Sequence, residues 1–539
     1  MEAHNEIVAG VAERVKHFHA LQKPFRIYHG STNSTRASPK SAANTVDTSR
    51  LANVLAVDPA RRTATAEPNV PLGDLVAATL AHGLVPLVVM EFPGITVGGG
   101  FSGSSGESSS FRHGAFDATI ESIEIVLPDG AVEHASRTVK PDLLWGAASA
   151  FGTLGVVTLL EVRLRPAKKY VRLEYHLLRS PEDSVRKIRA ECARDENDYV
   201  DGIVFAMDQT VVCTGRMVDD KPDGEEERRF TRPSDPWFYL RAQDVKNRLL
   251  KSGGYGETTT TTTSNTTTAT TTVTKVDYIP LVDYLFRYDR GGFWMARYAF
   301  TYFATPFNRL TRRALDRFMH TKTMYHAMHK SGLADSYVIQ DVGVTWETAA
   351  DFQRWLHDDS GLGGKKGSSG KGGIYPLWLC PLRIRRDDPD SGHGLHAEFS
   401  SPDTVPELLN FGVWGPVGTP DRREAVRLNR ALEHKVQACG GKKWLYAQAF
   451  YTEDEFWAHY QKDSYFALRE KYAAGYLPSV YDKVKVDVDD EERAARGRPA
   501  HRRLAKKIWP LRGLYGVYHA WRGHDYLLQK RVEETSAKA

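Results

Sequence analysis

Cysteine is scarce in this sequence of 539 residues, and the four copies, Cys192, Cys213, Cys380 and Cys439, lie far apart. None forms a Cys-x-x-Cys pair, so the sequence predicts neither a cysteine-ligated zinc site nor a disulfide framework. The histidines lack acidic partners at ligand spacing, so we predict no metal site from them either. Cysteine use of this kind favours a reducing compartment.

Long apolar runs are also absent. No stretch approaches the roughly 18 apolar residues that suggest a membrane-spanning helix. Residues 1–6 contain neither a basic nor an apolar segment, so we expect no secretory signal. The formal net charge is only +5, which does not by itself indicate nucleic-acid binding, and we predict no nucleic-acid partner.

The length exceeds what a single hydrophobic core supports, so two or more domains are expected. Short strands and helices alternate irregularly at first, which predicts an α+β fold rather than a regular βαβ series. Aromatic residues and arginines become frequent later. We predict a first domain at 1–170, a second at 171–486 and an acidic, then basic tail at 487–539. Low-complexity insertions at 258–274 and 361–373 are predicted to be mobile loops.

A Gly/Ser-rich stretch at 96–114 is the most distinctive feature of the first domain. Gly98, Gly100 and Gly103 match G-x-G-x-x-G formally, but a Rossmann fingerprint must open a helix. More Gly and Ser follow, and these are poor helix formers, so we predict a long loop and reject the Rossmann interpretation. Such a loop offers free backbone N–H groups and little bulk, as a diphosphate and a flat ring require. Composition alone leaves a binding pocket and a flexible linker open.

The C-terminal tail is basic and aromatic. Between Arg493 and Arg531 it contains eleven Lys/Arg and a single acidic residue, Asp525. Interleaved Trp and Tyr suit an interfacial membrane helix. A nucleic-acid arm, a packing helix and a solvated tail are the alternatives.

The order of motifs from about residue 25 to residue 166 resembles the PCMH-type (vanillyl-alcohol-oxidase-like) FAD-binding domain. The motifs lie at 29–34, 57–68, 96–99, 125–130 and 152–155. The resemblance implies FAD as cofactor and an FAD-binding domain of two α/β subdomains. The remainder would form an α+β cap that carries the substrate site.

Beyond that domain, the chain resembles the delta-24 sterol reductase family (Diminuto/seladin group). The matching segments are 107–110, 166–171, 375–381, 444–446, 455–457 and 468–472. This resemblance implies an FAD-dependent oxidoreductase that reduces an isolated sterol side-chain double bond with NADPH. The family's animal and plant members have an N-terminal membrane anchor, and none is visible here. We therefore expect the endoplasmic reticulum membrane or the cytoplasm, on the cytosolic face, with peripheral membrane contact open.

Carried over motif by motif, the resemblance also implies the FAD contacts. They are Gly30, Ser31, Thr32, Asn33, Ser34, Thr96, Val97, Gly98, Gly99, Gly100, Ser102, Gly103, Ser104, Gly106, Ser108, Ser110, Gly114 and Val156. Many relatives in the superfamily attach flavin through His or Cys. The Gly/Ser stretch has neither before its last two residues, and only His29 and His113 lie nearby, so we predict noncovalent FAD.

An unpolarised alkene accepts a hydride only if a general acid protonates one carbon, with aromatic groups to stabilise the cation formed. The candidates for the acid are Glu107, Tyr375 and Tyr446, followed by His396, Glu398 and Tyr451. No separate NADPH motif is visible, so NADPH would visit the flavin face. Two alternatives remain: an FAD-dependent oxidase or dehydrogenase of an alcohol or secondary metabolite, and a noncatalytic flavin- or sterol-binding protein at a membrane.

Overall fold

The computed structural model describes residues 1–30, 34, 40–251, 256–257, 270–271, 274–363, 373–489, 491, 493 and 508–523. Three predicted FAD contacts, Ser31, Thr32 and Asn33, lie outside these residues. Most of both low-complexity insertions and most of the basic tail lie outside them as well, so the mobility predicted for the insertions stays a prediction.

Residues 1–166, which we call the first half of the structure, combine a small parallel strand pair with a larger antiparallel sheet. Its strands are β1 Arg26–Tyr28, β2 Thr45–Asp47, β3 Val54–Asp58, β4 Thr63–Ala66, β5 Leu84–Pro86, β6 Ile120–Val126, β7 Val132–Ser136 and β8 Val156–Pro166. Its helices are α1 Glu2–Ala20, α2 Leu72–Leu80, α3 Val97–Gly103, α4 Ser110–His113 and α5 Pro141–Ala147, with a 3₁₀ turn at Phe116–Thr119. β1 pairs with β2, and the larger sheet has the order β3-β4-β8-β6-β7, with β5 also beside β8.

Local patterning explains most of these elements. α1 buries one face at Val8, Val11, Val15 and Phe18, and this three-to-four-residue spacing is that of an amphipathic helix. β3 and β4 form the predicted strand pair around a polar turn.

The Gly/Ser stretch differs from the prediction, because it contains helices α3 and α4 rather than one long loop. The Thr96 hydroxyl caps α3 by accepting a hydrogen bond from the Gly99 N–H at 3.1 Å. The Gly98 N–H donates to the Pro68 carbonyl at 2.8 Å. A Cβ on Gly98 would lie 2.7 Å from the Pro68 Cβ, and one on Gly100 would lie 2.2 Å from the Met90 Cε. Close packing therefore outweighs the poor helix propensity of glycine.

The rejection of a Rossmann domain now rests on topology. All strand pairs in the larger sheet of the first half are antiparallel, whereas a dinucleotide fold needs parallel strands joined by crossover helices. The amides at the start of α3 are also used within the protein, so the predicted row of free N–H groups is wrong at this point.

The second half is built on one antiparallel sheet. Its strands are β9 Tyr170–Leu178, β10 Tyr199–Ala206, β11 Gln209–Val218, β12 Gly256–Glu257, β13 Thr270–Thr271, β14 Thr274–Pro280, β15 Tyr337–Val344, β16 Leu377–Arg383, β17 Glu407–Pro416 and β18 Lys442–Lys443. The sheet has the order β14-β9-β11-β10-β16-β17-β15-β18, and β12 and β13 form a separate two-stranded sheet. The predicted α+β fold is confirmed.

The second half also contains helices, which lie between and after these strands along the chain. They are α6 Pro181–Cys192, α7 Phe238–Lys251, α8 Leu281–Leu285, α9 Ala296–Tyr302, α10 Arg309–Ala314, α11 Thr321–Ser331, α12 Ala349–Asp358, α13 Arg422–Ala438, α14 Glu453–His459, α15 Lys462–Lys471, α16 Val480–Val484 and α17 Leu511–Arg522. Shorter 3₁₀ turns lie at Asp316–Phe318, Leu333–Ser336, Pro389–Ser391 and Gly394–Ser400.

The segment that contains α15 and α16 returns to the first half. The Tyr465 and Thr153 hydroxyl oxygens are 2.7 Å apart, and Arg469 donates to the Thr153 carbonyl at 3.0 Å. A Cβ on Gly146 would lie 2.4 Å from a methyl carbon of Leu468, so α15 packs directly on α5. The domain limits at 170 and 486 stay predictions.

In the part of the chain that the structure describes, no helix is both long and apolar enough to span a bilayer.

Candidate active site

A cleft lies between the two halves and encloses about 1930 Å³ including its mouth. The first half contributes β1, the end of the first polar loop and the outer side of α3. The second half contributes residues of β15, β16 and β17 and the segment after β18. Both segments predicted to hold flavin therefore meet at one site.

The wall from the first half contains seven of the predicted FAD contacts. They are Ser34, Thr96, Gly98, Gly99, Ser102, Gly103 and Gly106. A Cβ on Gly103 would meet nothing closer than 3.5 Å, so no neighbouring side chain packs tightly against this position of α3. Residues Pro68, Asn69, Gly155 and Val157 extend the wall.

The other described residues of the prediction do not line the cleft. They are Gly30, Val97, Gly100, Ser104, Ser108, Ser110, Gly114 and Val156. Val97 and Gly100 lie on the inward face of α3. Val156 packs against α1, while Val157 faces the cleft, because successive strand residues point to opposite faces. The Ser110 hydroxyl accepts a hydrogen bond from the Glu107 N–H at 3.0 Å. Ser104 and Gly114 line a neighbouring cavity.

The wall from the second half is one face of three adjacent strands. Trp378 on β16 and Asp341 on β15 both lie opposite Gly412 of β17. A Cβ on Gly412 would lie 3.0 Å from the Trp378 Cβ and 3.2 Å from an Asp341 carboxylate oxygen. Because strand side chains alternate, Asn410 and Trp414 share the face of Gly412 and also line the cleft. The missing side chain leaves room between the indole and the carboxylate.

Asp341 is the centre of a buried hydrogen-bonded group. Its Oδ2 accepts a hydrogen bond from the Tyr446 hydroxyl at 2.7 Å, and its Oδ1 accepts one from the Asn410 amide at 2.9 Å. Burial raises the pKa of Asp341, although these two donors oppose the shift. Burial, and then the Asp341 charge, also raise the pKa of Tyr446 well above its ordinary value. Tyr446 is the predicted acid that the structure places in the cleft.

Glu91 is a buried acid in the same cleft, and the sequence prediction missed it. Its pKa is raised to about 8, mainly by burial. The charges of Glu107 and Asp341 contribute to this shift, whereas a backbone hydrogen bond and Arg287 oppose it. Its carboxyl group is therefore largely protonated at neutral pH. The sequence did contain a signal for such buried acids, namely a carboxyl residue within an apolar segment. Glu91 lies between Met90 and Phe92, and Asp341 lies inside β15.

Glu107 lies behind the cleft rather than in its lining. Its carboxylate accepts from the Arg287 guanidinium at 3.1 Å and from Ser108. Arg287 also donates to Asp201 at 2.8 Å, and Asp201 accepts from the Trp378 indole at 3.1 Å. Burial raises the pKa of Glu107, while Arg287 opposes the shift. Glu107 thus joins the two halves through a buried ion pair.

The remaining candidates for the acid also lie outside the cleft lining. The Tyr375 hydroxyl is 3.2 Å from His357 Nδ1. His396 lines the neighbouring cavity. Glu398 is ion-paired with Lys442 at 2.8 Å, and Tyr451 lies in a separate core cluster. We therefore carry only Tyr446 of the original candidates into the proposed function.

The residues present fit FAD. Arg26, Lys40 and Lys483 supply positive charge to the cleft, as a diphosphate requires, and glycines of α3 line the same cleft as Trp378 and Trp414. Arg26, Lys40 and Ser34 line it with His29 near the first polar loop. In the described ranges, no group of three or more His, Cys, Asp or Glu is arranged to hold a metal ion.

Comparison with known proteins supports the same cofactor. A family model described as an FAD binding domain matches residues 6–136. Cytokinin dehydrogenase 6 from Oryza sativa subsp. japonica is 32% identical over 135 residues, which is 24% of this chain and 26% of that protein. The antiparallel fold, the glycine-walled cleft and this match define the class of protein: an FAD-dependent oxidoreductase.

A longer similarity narrows the class. The Delta(24)-sterol reductase of Homo sapiens is 27% identical over 453 residues, covering 80% of this chain and 76% of that protein. The Delta(24)-sterol reductase of Arabidopsis thaliana is 26% identical over 495 residues, covering 85% of this chain and 79% of that protein. The resemblance to the delta-24 sterol reductases predicted from the sequence is therefore confirmed.

Proposed function

We propose that this protein reduces the side-chain delta-24 double bond of a sterol, with NADPH as the electron donor and noncovalently held FAD as the hydride carrier. One observation carries the proposal: the flavin cleft has an aromatic wall and, in the same lining, a buried acid that keeps its proton at neutral pH. The names of the long relatives support the substrate class.

The chemistry requires a proton and a hydride on opposite ends of an unpolarised double bond. Bound FAD, once NADPH has reduced it, would supply the hydride. Glu91 holds a proton at its carboxyl group because burial disfavours the charged form. Protonation of one alkene carbon leaves cationic character on the other, and the rings of Trp378 and Trp414 can stabilise it. Tyr446 and Asp341 form the second proton-holding pair in the lining.

The apolar part of the cleft suits a flat lipid. Met90, Phe92, Ile95 and Leu382 line it together with the two tryptophans. Phe293 backs this wall, with ring centroids 5.1 Å from both Trp378 and Trp414. An apolar cleft with few polar groups orients a hydrophobic ligand through those groups.

Of the FAD contacts predicted from the sequence, the proposal keeps those that line the cleft. Noncovalent binding is supported by the absence of Cys from the cleft lining in the described chain, where His29 is the single His. Burial lowers the pKa of His29 to about 3, so its imidazole is neutral.

We also propose peripheral contact with an anionic bilayer, made by α17. Leu511, Leu514, Tyr515, Tyr518 and Trp521 are exposed by 48%, 49%, 52%, 49% and 54%, respectively. A soluble helix normally buries such residues, and an exposed apolar face of this size is typical of an interaction surface. The basic residues of the tail match a negatively charged lipid surface.

The attachment of α17 supports this orientation. A Cβ on Gly516 would lie 2.4 Å from the Ala327 carbonyl oxygen of α11, and Arg512 donates to the Ser331 carbonyl at 2.9 Å. The glycine face therefore packs on the protein, and the aromatic face points outward. Tyr325, also on α11, lines the cleft. The helix α11 therefore lies between the cleft and α17, whose outer face would contact the bilayer.

Purification, followed by anaerobic mixing with NADPH, tests the activity. We expect a yellow protein whose flavin absorbance is bleached by NADPH and restored by a delta-24 sterol, but not by the saturated sterol. A colourless protein that FAD cannot reconstitute would contradict the cofactor. Rapid hydrogen peroxide formation from an alcohol without NADPH consumption would indicate an oxidase, and a flavin that NADPH never bleaches would indicate a binding protein.

A further inference from the structure

A second cavity adjoins the flavin cleft and encloses about 1270 Å³ including its mouth. It shares part of its lining with the cleft, namely Gly103, Phe151, Leu382 and Trp444. A ligand that occupies this cavity can therefore extend toward the flavin site past these residues.

The cavity is strongly basic. Six arginines line it, against three aspartates. Arg112, Arg137 and Arg163 come from the first half, whereas Arg383, Arg385 and Arg386 come from the second. Like charges brought together from two halves repel one another, and a bound anion would reduce that repulsion further than the aspartates of the lining do.

The available acids do not neutralise all of these arginines. Arg386 is 2.8 Å from Asp117, and Arg383 is paired with Asp387. Arg137 lies 3.7 Å from Glu121 and from Asp388, and Arg112 lies 3.7 Å from Asp195. The exposed Arg163 and the half-buried Arg385 have no ion-pair partner within 4.0 Å among the described residues. Planar guanidinium groups of this kind are the preferred protein ligands of phosphate.

Buried polar atoms in the lining also lack partners. His113 Nε2, Trp145 Nε1 and Arg137 Nε are groups that can donate to a ligand, and they have no hydrogen-bond partner among the described residues. Trp145 is only 2% exposed. Buried polar groups in folded proteins are normally satisfied, so this cluster points to a polar ligand.

The Trp145 ring lies between two cations. The guanidinium carbon of Arg386 is 4.3 Å from its centroid, and that of Arg137 is 5.0 Å away. These contacts hold two arginines from opposite halves at the cavity wall. Because the two side chains are already ordered, binding an anion would cost less side-chain entropy.

We propose that this cavity binds the phosphate groups of the pyridine nucleotide, including the 2′-phosphate that distinguishes NADPH from NADH. The inference rests on the proposed function, because it assigns a site to the electron donor. The nicotinamide then reaches the flavin cleft along the shared lining, while the arginines hold the adenosine phosphates.

The test measures NADP⁺ and NAD⁺ binding to the FAD-loaded protein by calorimetry, without turnover. We expect Arg163→Gln and Arg385→Gln each to weaken NADP⁺ binding about tenfold, as the loss of one charge-assisted contact implies. The variant that loses a contact to the 2′-phosphate should leave NAD⁺ binding nearly unchanged, whereas one that loses a contact to the diphosphate should weaken both nucleotides. Arg248→Gln, an exposed arginine on α7, is the matched control. Flavin content and circular dichroism confirm that each variant is folded and loaded.

The outcomes separate the possible sources of phosphate. Unchanged NADP⁺ affinity in both variants, with tight binding to the parent protein, would overturn the assignment. Loss of FAD with unchanged NADP⁺ affinity would assign the cavity to the flavin diphosphate instead. If the parent protein binds neither nucleotide, the electron donor in the proposed function is wrong as well.

Discussion

Replacement of Glu107 by Gln decides between a catalytic and a structural role for this residue. The change keeps the size of the side chain and one hydrogen-bond acceptor, but it removes the charge that faces Arg287 at 3.1 Å. Both side chains are almost fully buried, with 3% and 0% exposure. Breaking a buried ion pair costs about 3–5 kcal/mol.

Two features reduce the expected loss. Asp201 remains 2.8 Å from Arg287 and still balances its charge, and the Gln oxygen can accept the same hydrogen bond. We therefore expect Glu107→Gln to lower the free energy of unfolding by about 2–3 kcal/mol, at or below the lower end of the range for buried pairs. Glu13→Gln, which removes an exposed partner of Lys16, should change it by less than about 1 kcal/mol.

Urea unfolding followed by tryptophan fluorescence and by flavin release measures both variants. A structural Glu107 predicts lower stability, with turnover of the folded enzyme reduced less than about tenfold. A proton donor predicts the reverse, because loss of a general acid typically costs 10²–10⁴-fold in rate. Unchanged stability together with a hundredfold loss of sterol reduction would refute the structural reasoning.

Three further predictions concern the cleft, α3 and the tail. If Glu91 is the proton donor, the rate of sterol-dependent flavin reoxidation should fall as pH rises through about 8, because the acid then loses its proton. Glu91→Gln should remove most of this rate. A rate that is independent of pH up to 10 would exclude the role. Gly98→Ala should lower the free energy of unfolding by about 1–3 kcal/mol and reduce FAD content, since the new Cβ would lie 2.7 Å from Pro68. Gly10→Ala is the control, because no heavy atom lies within 4 Å of a Cβ at that position. Equal effects of the two changes would contradict the packing argument. The double variant Tyr518→Ser and Trp521→Ser should bind anionic vesicles at least about tenfold more weakly in flotation assays, without loss of flavin bleaching by NADPH; unchanged binding would leave α17 as a packing helix or a site for another partner.

Much of the first half could be predicted from the sequence because its signals are local. The spacing of apolar residues in α1, the strand pair β3–β4 and the order of the flavin motifs need no knowledge of distant contacts. The helix α3 could not be predicted in this way. Its glycines disfavour a helix by themselves, and only the approach of Pro68 and Met90 makes their small size an advantage.

The sequence alone therefore determined the cofactor class and predicted the segments that surround it, since glycine, serine and motif order depend on the backbone that flavin approaches. Only the tertiary structure decided which acids belong to the site. It brought Glu91, Asp341 and Tyr446 into one cleft from positions far apart in the chain. It also placed Glu107 behind the wall with Arg287, because which face of an element is buried depends on the partner that packs against it.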